Sequence, residues 1–151
     1  MAFWRILHFL AFTAWIGGAL AVMVASMAMR RLDRAFWGGM VEIQGAIYRV
    51  LIGPGALVSV VSGVFLTFGM YGQLSTSVGA WLGTMQAAAL GGAVVTLLAA
   101  MPAASKLSRM EPLGPTATAF DAMRKRLAVT GFIGGILALI ALVAGALYRL
   151  V

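Results

Sequence analysis

Four long stretches of the chain are almost wholly apolar: Trp4–Met29, Val50–Tyr71, Val78–Ser105 and Leu127–Leu147. Arg5 is the only charged residue in any of them. A hydrocarbon core takes about 20 helical residues at ~1.5 Å each, so every stretch is long enough to cross it. Hydrophobic residues occupy all faces of these stretches rather than one stripe, which argues for lipid and against a soluble bundle. The pattern predicts an all-α polytopic membrane protein, a four-transmembrane-helix bundle forming one domain over residues 1–151, with the lipid bilayer as its surroundings.

Polar residues gather between the apolar stretches. Residues 30–49 include Asp33, Glu42 and Gln44, while Leu32, Phe36, Met40, Ile43 and Ile47 recur at spacings of three and four. That spacing predicts a cytoplasmic extension of the first helix or an interfacial amphipathic helix. Pro112, Gly114 and Pro115 must break helical structure in the third connection. Asp121 is expected to precede the helix that rises into Leu127. The first stretch has a cleavage-like Ala25-Ser-Met-Ala28, but its apolar run is about twice that of a secretion signal, so we expect it to be retained.

Charge then sets the orientation. The first connection carries Arg30, Arg31, Arg34 and Arg49, and the third carries Lys106, Arg109, Arg124, Lys125 and Arg126. Only Arg5 and Arg149 remain for the other side, and the loop at Gly72–Gly79 has no cation. Nine against two places 30–49 and 106–126 in the cytoplasm, with both termini outside, as in a bacterial inner membrane protein. The net charge of +7 is therefore explained by topology and by attraction to anionic headgroups. No basic stripe interleaved with aromatics suggests nucleic acid as a partner. The chain has no cysteine, which excludes disulfides, iron–sulfur clusters and thiol chemistry.

A weak internal repeat accompanies this layout. Gly17-Gly-Ala-Leu-Ala-Val-Met-Val-Ala-Ser-Met27 is similar to Gly91-Gly-Ala-Val-Val-Thr-Leu-Leu-Ala-Ala-Met101, each followed by a basic-Leu-x-Arg stretch. Two tandem two-helix hairpins in the same orientation would produce it; chance similarity of Gly/Ala-rich helices is the rival account. Small residues at four-residue spacing give each helix a face for close packing: Gly55, Ser59 and Gly63; Gly83, Ala87 and Gly91; Gly131 and Gly135, then Ala141 and Gly145.

Candidate chemistry centres on His8, the single histidine, which lies in an apolar run where an unpartnered imidazole is costly. His8, Phe12 and Trp15 share a helical face, with Gly18 beside them. The imidazole could ligate haem iron, with Phe12 and Trp15 lining the macrocycle and Gly18 leaving it room. One histidine allows one such ligand per chain; a methionine, a water or His8 of another subunit would supply a second. The bland alternative is an imidazole hydrogen-bonded to a backbone carbonyl, with Trp15 as ordinary packing. Copper(I) is a competitor, since Met23 and Met27 share a face, with Met29 nearby and Met101 at matching depth. Ser59, Ser62 and Thr84 have no base nearby in sequence and read as packing residues. No span contains a carboxylate for ion-coupled transport.

Several short motifs together resemble a known group of small four-helix membrane proteins. They are Leu7-His8 with Trp15-Ile-Gly-Gly18, Tyr48-Arg-Val-Leu-Ile-Gly-Pro54, Ser62-Gly-Val-Phe-Leu66 and Ala80-Trp-Leu82. The group comprises the membrane protoporphyrinogen oxidase, the membrane domain of copper resistance protein D and an uncharacterised branch, to which this chain is most similar. The resemblance implies the four-helix fold and haem b binding through the position of His8. The oxidase also has an arginine where Val24 stands and a lysine near Met85. Neither cation is present here, which leaves an acidic porphyrin without its charge partners and argues against catalysis. A homo-oligomer, or a non-catalytic accessory subunit of a larger membrane complex, is the reading from a different class.

Overall fold

The computed structural model describes residues 2–69 and 76–147. The expected end of the second span at Tyr71, much of the loop at 72–79, and Arg149 lie outside them. Four helices are long and apolar enough to cross a membrane: α1 Ala2–Met29, α2 Arg34–Phe68, α3 Gly79–Leu107 and α4 Gly114–Leu147. No strand occurs among the described residues. Large apolar side chains are exposed along all four helices, among them Phe9, Leu57, Leu98 and Phe132. That surface is stable against lipid and would not be against water.

Two helices reach further than hydropathy indicated. Residues 30–33 form only a turn, and most of the polar segment 34–49 is the first half of α2, not an extension of α1 or a separate interfacial helix. Asp33 starts it by accepting a hydrogen bond from the Ala35 backbone N–H at 3.0 Å. At 35 residues α2 is about 50 Å long, so some 15 residues exceed a ~30 Å hydrocarbon core. Similarly, α4 begins before Leu127 and contains Asp121 in its first turns. Gly114, at φ 71°, turns the chain into it through the left-handed region that suits a residue without a Cβ.

Both α2 and α3 contain one widened turn, Tyr48–Ile52 and Thr96–Ala100. In each the closing backbone bond spans five residues, from Gly53 N–H to the Tyr48 carbonyl and from Met101 N–H to the Thr96 carbonyl. The cause follows directly, since Pro54 and Pro102 come next. Proline has no N–H and its ring collides with the carbonyl four residues back, a conflict that a π-turn accommodates without ending the helix. The two turns face each other, because a Cβ on Gly53 would sit 3.0 Å from the Met101 sulfur.

The main helix seams are α1 with α2 and α3 with α4, the two expected hairpins. Gly55 lets α1 and α2 touch through backbone, since a Cβ there would lie 2.8 Å from the Ala11 carbonyl oxygen. The internal repeat is followed in part. Gly18 packs under Ile52 of α2 and Gly92, its counterpart, packs under Leu137 of α4. The π-turns break the repeat, falling in α2 and α3 instead of in equivalent helices. On α3 and α4 the expected small-residue faces are met in part: Gly131 and Gly145 pack closely against Tyr48 and Met85, and Ala141 is buried. Gly83 and Gly135 have open space around them, and Gly92 and Gly134 make further close approaches.

At the end carrying most cations, Arg34 joins the hairpins. Its Nε donates to the Pro112 carbonyl at 2.7 Å and its terminal nitrogen to Asp121 Oδ2 at 2.8 Å. The guanidinium groups of Arg34 and Arg124 lie 5.2 and 4.8 Å from the centroid of the Trp37 ring, within cation–π range. Fully buried Phe120 packs beside the same indole.

Candidate functional site

His8 stands six residues into α1, about 9 Å along the helix from its first residue. The side chain is half-buried at the seam with α2. Its Nδ1 lies 2.9 Å from the backbone carbonyl oxygen of Ser59 and 3.0 Å from Ser62 Oγ. The carbonyl can only accept, so Nδ1 carries the ring hydrogen. The Ser62 hydroxyl donates its own hydrogen to the Val58 carbonyl at 2.6 Å, which leaves its lone pairs for the imidazole N–H. Nδ1–H is thus shared between two acceptors on one helix. Nε2 is the unprotonated nitrogen and has no hydrogen bond to any described residue.

Sequence and packing explain why α2 receives the ring. Ser59 and Ser62 are on its buried face, and the Gly63 Cα lies beside the imidazole: a Cβ there would be 3.3 Å from His8 Cε1. A lone histidine usually has to find its partners across a helix interface, and here one turn of α2 supplies them. Ser59 and Ser62, expected to be packing residues remote from any base, are therefore beside the only imidazole. Their pattern, two serines and a glycine on one face, was visible in the sequence; the register between α1 and α2 that brings them to His8 was not. The arrangement is also the reverse of an activated nucleophile. Both oxygens near Nδ1 accept from it, so the imidazole takes no proton from Ser62.

The other expected site residues separate into two groups. Phe12 is half-buried and stacks beside His8, with ring centroids 6.0 Å apart and planes inclined by 21°. Trp15 and Gly18, expected to line and make room for a macrocycle, belong to the core instead. Trp15 is only 1% exposed, its ring end under Gly92 of α3, and the space above Gly18 is filled by Ile52. Trp4 stacks on Phe65 at 4.2 Å and continues the aromatic seam towards the N-terminus. The methionines proposed for copper are divided. Met23 and Met27 are about half exposed, Met29 is fully buried, and Met101 is held against Gly53.

Two apolar grooves accompany these features, about 300 Å³ between α3 and α4 at Trp81 and Ile140, and about 230 Å³ between α2 and α3 at Leu57 and Leu97. Neither borders His8. A further polar contact links α3 to α2, where the Gln86 amide donates to Thr67 Oγ1 at 2.7 Å.

The free Nε2 suits a haem iron as a donor, yet the hydrogen bond to a backbone carbonyl and the core position of Trp15 are the two features that the alternative reading expected, and neither groove offers a macrocycle room beside His8. An axial imidazole binds through one nitrogen while the other donates to a carbonyl or hydroxyl, which fixes the tautomer and the ring plane. Compared with known proteins, the chain matches no family model, no curated protein and no solved structure.

Proposed function

We propose that this integral membrane protein binds haem b, or handles a related metalloporphyrin, with His8 Nε2 as an axial ligand. The observation that supports it is that Nε2 has no hydrogen bond to any described residue, while Nδ1 makes the bond to the Ser59 carbonyl that a purely structural histidine would also make. That bond holds the imidazole in the tautomer whose Nε2 lone pair is available and keeps the ring against Gly63. Phe12 is the aromatic contact beside it. Bound haem would supply one-electron chemistry or be carried as cargo. The chain's own contribution is to ligate, orient and shield the ligand nitrogen within the bilayer. The oxidase that the chain resembles has cations at positions near Val24 and Met85, and their absence here favours electron transfer or haem handling over porphyrin oxidation. The distribution of Lys and Arg supports an orientation with both termini outside and the Arg34–Trp37–Asp121 cluster in the cytoplasm.

An absorption spectrum of the gently purified protein, oxidised and dithionite-reduced, tests the reading beside His8→Ala. The expected result is a Soret band with reduced α and β bands in the wild type, and loss of at least about nine-tenths of bound haem in the variant. A wild type that stays colourless after haem addition would overturn the reading and favour an accessory subunit of a larger complex.

A further inference from the structure

We propose that Arg49 and the groove between α2 and α3 bind one anionic phospholipid, its acyl chain along the groove and its phosphate on the guanidinium. Arg49 is exposed on the π-turn of α2, beside Val50, which is 69% exposed. Gly18 of α1 faces Ile47, Leu51 and Ile52 of that turn. From Gly18, α1 runs eleven uncharged residues to Arg30, roughly 15 Å of apolar helix beyond the depth of Arg49. Met23, Val24 and Met27 are exposed on that stretch. Arg49 thus carries its charge into a surface suited to lipid, where a cation demands a counter-charge. The ion pairs among the described residues are those of Asp121 with Arg34 and Arg124. Glu42, the nearest carboxylate along α2, is seven residues away, about 10 Å.

Helical register brings Arg49 to the groove. The π-turn holds one extra residue, so about eight residues make two turns and Arg49 falls on the face of Leu57. Leu57 lines the groove of about 230 Å³ with Val94, Leu97 and Leu98 of α3, all apolar. Arg49 therefore stands beyond the groove at the end carrying most cations, where a chain lying in the groove would place its headgroup. The same turn offers an acceptor. Gly53 N–H goes to the Tyr48 carbonyl and Pro54 has no N–H, so the Arg49 carbonyl lacks a helical donor. A headgroup with a phosphate and hydroxyls, as in phosphatidylglycerol, answers both groups. A choline headgroup would bring its own cation to an end already positive.

Native mass spectrometry of the protein in mild detergent, titrated with phosphatidylglycerol or phosphatidylcholine of matched chains, reads each bound lipid. The wild type is expected to take up one phosphatidylglycerol with about fivefold preference, the factor one cation contributes near an anionic surface. Arg49→Gln should lose that preference, and Arg49→Lys should keep most of it. Val94→Trp, which fills the groove without changing charge, should weaken both lipids. Lys125→Gln, an exposed cation on α4 away from the groove, and His8→Ala should leave binding as in the wild type. Thermal unfolding checks that each variant is folded. Equal binding of the two lipids, an effect of Arg49→Gln no larger than that of Lys125→Gln, or unchanged binding in Val94→Trp would overturn the site. A dimer that dissociates in Arg49→Gln would overturn it too, making this face a contact between two copies of the chain.

Discussion

Two serines three residues apart on α2 carry different parts of the His8 site. Ser62 contributes its hydroxyl, whereas Ser59 contributes its backbone carbonyl, and the Ser59 hydroxyl is buried without a hydrogen-bond partner among the described residues. An unsatisfied buried hydroxyl costs about 1–3 kcal/mol, so Ser59→Ala should be neutral or stabilising in thermal unfolding while keeping the His8 nitrogen spectrum of the wild type. That result would show that the carbonyl, not the side chain, is what Ser59 brings. The importance of His8 was legible in the sequence because an imidazole in an apolar run demands partners. Which groups answer the demand was not legible, since a backbone carbonyl has no residue signature. Trp15 shows the converse. Its spacing from His8 suggested a shared pocket, but helical spacing alone does not distinguish a ring beside a ligand from one under Gly92.

At the scale of the helix, the π-turns decide where side chains point. Each widened turn shifts the phase of the residues beyond it, so the face read from an unbroken 3.6-residue period is displaced. Hydropathy located the membrane-compatible portion of α2 from Val50 but could not find its start, because the helix begins at the Asp33 cap and runs through polar residues that hydropathy does not count. On α3 and α4 the spacing pointed correctly to Gly131, Ala141 and Gly145 but missed Gly92 and Gly134, because adjacent glycine pairs, Gly91-Gly92 and Gly134-Gly135, offer two candidates and only contact selects one. The Tyr48 hydroxyl presents a direct test. A Cβ on Gly131 would lie 2.7 Å from it. Gly131→Ala should therefore destabilise the protein by about 1–3 kcal/mol through overpacking, and adding Tyr48→Phe should recover at least half of that loss in thermal or detergent unfolding.

Across the whole molecule, the two hairpins are joined differently at their two ends. The helix crossings rely on small residues and π-turns, whereas the end bearing most cations uses Arg34, Trp37 and Asp121. The Arg34 and Asp121 side chains are 33% and 42% exposed, so the ion pair by itself contributes up to about 1 kcal/mol. Arg34 also donates to the Pro112 carbonyl. Arg34→Ala should consequently cost about 1–3 kcal/mol in unfolding, and Asp121→Asn should cost less than Arg34→Ala. The partners of Arg34 lie 78 to 87 residues further along the chain. During synthesis the first hairpin must therefore reach the bilayer with this guanidinium still solvated, and the clasp can close only after the base of α4 has emerged. Arrival of the base of the last helix is thus what completes a contact begun at the first residue of α2: a chain cut short before residue 112 lacks every one of these partners.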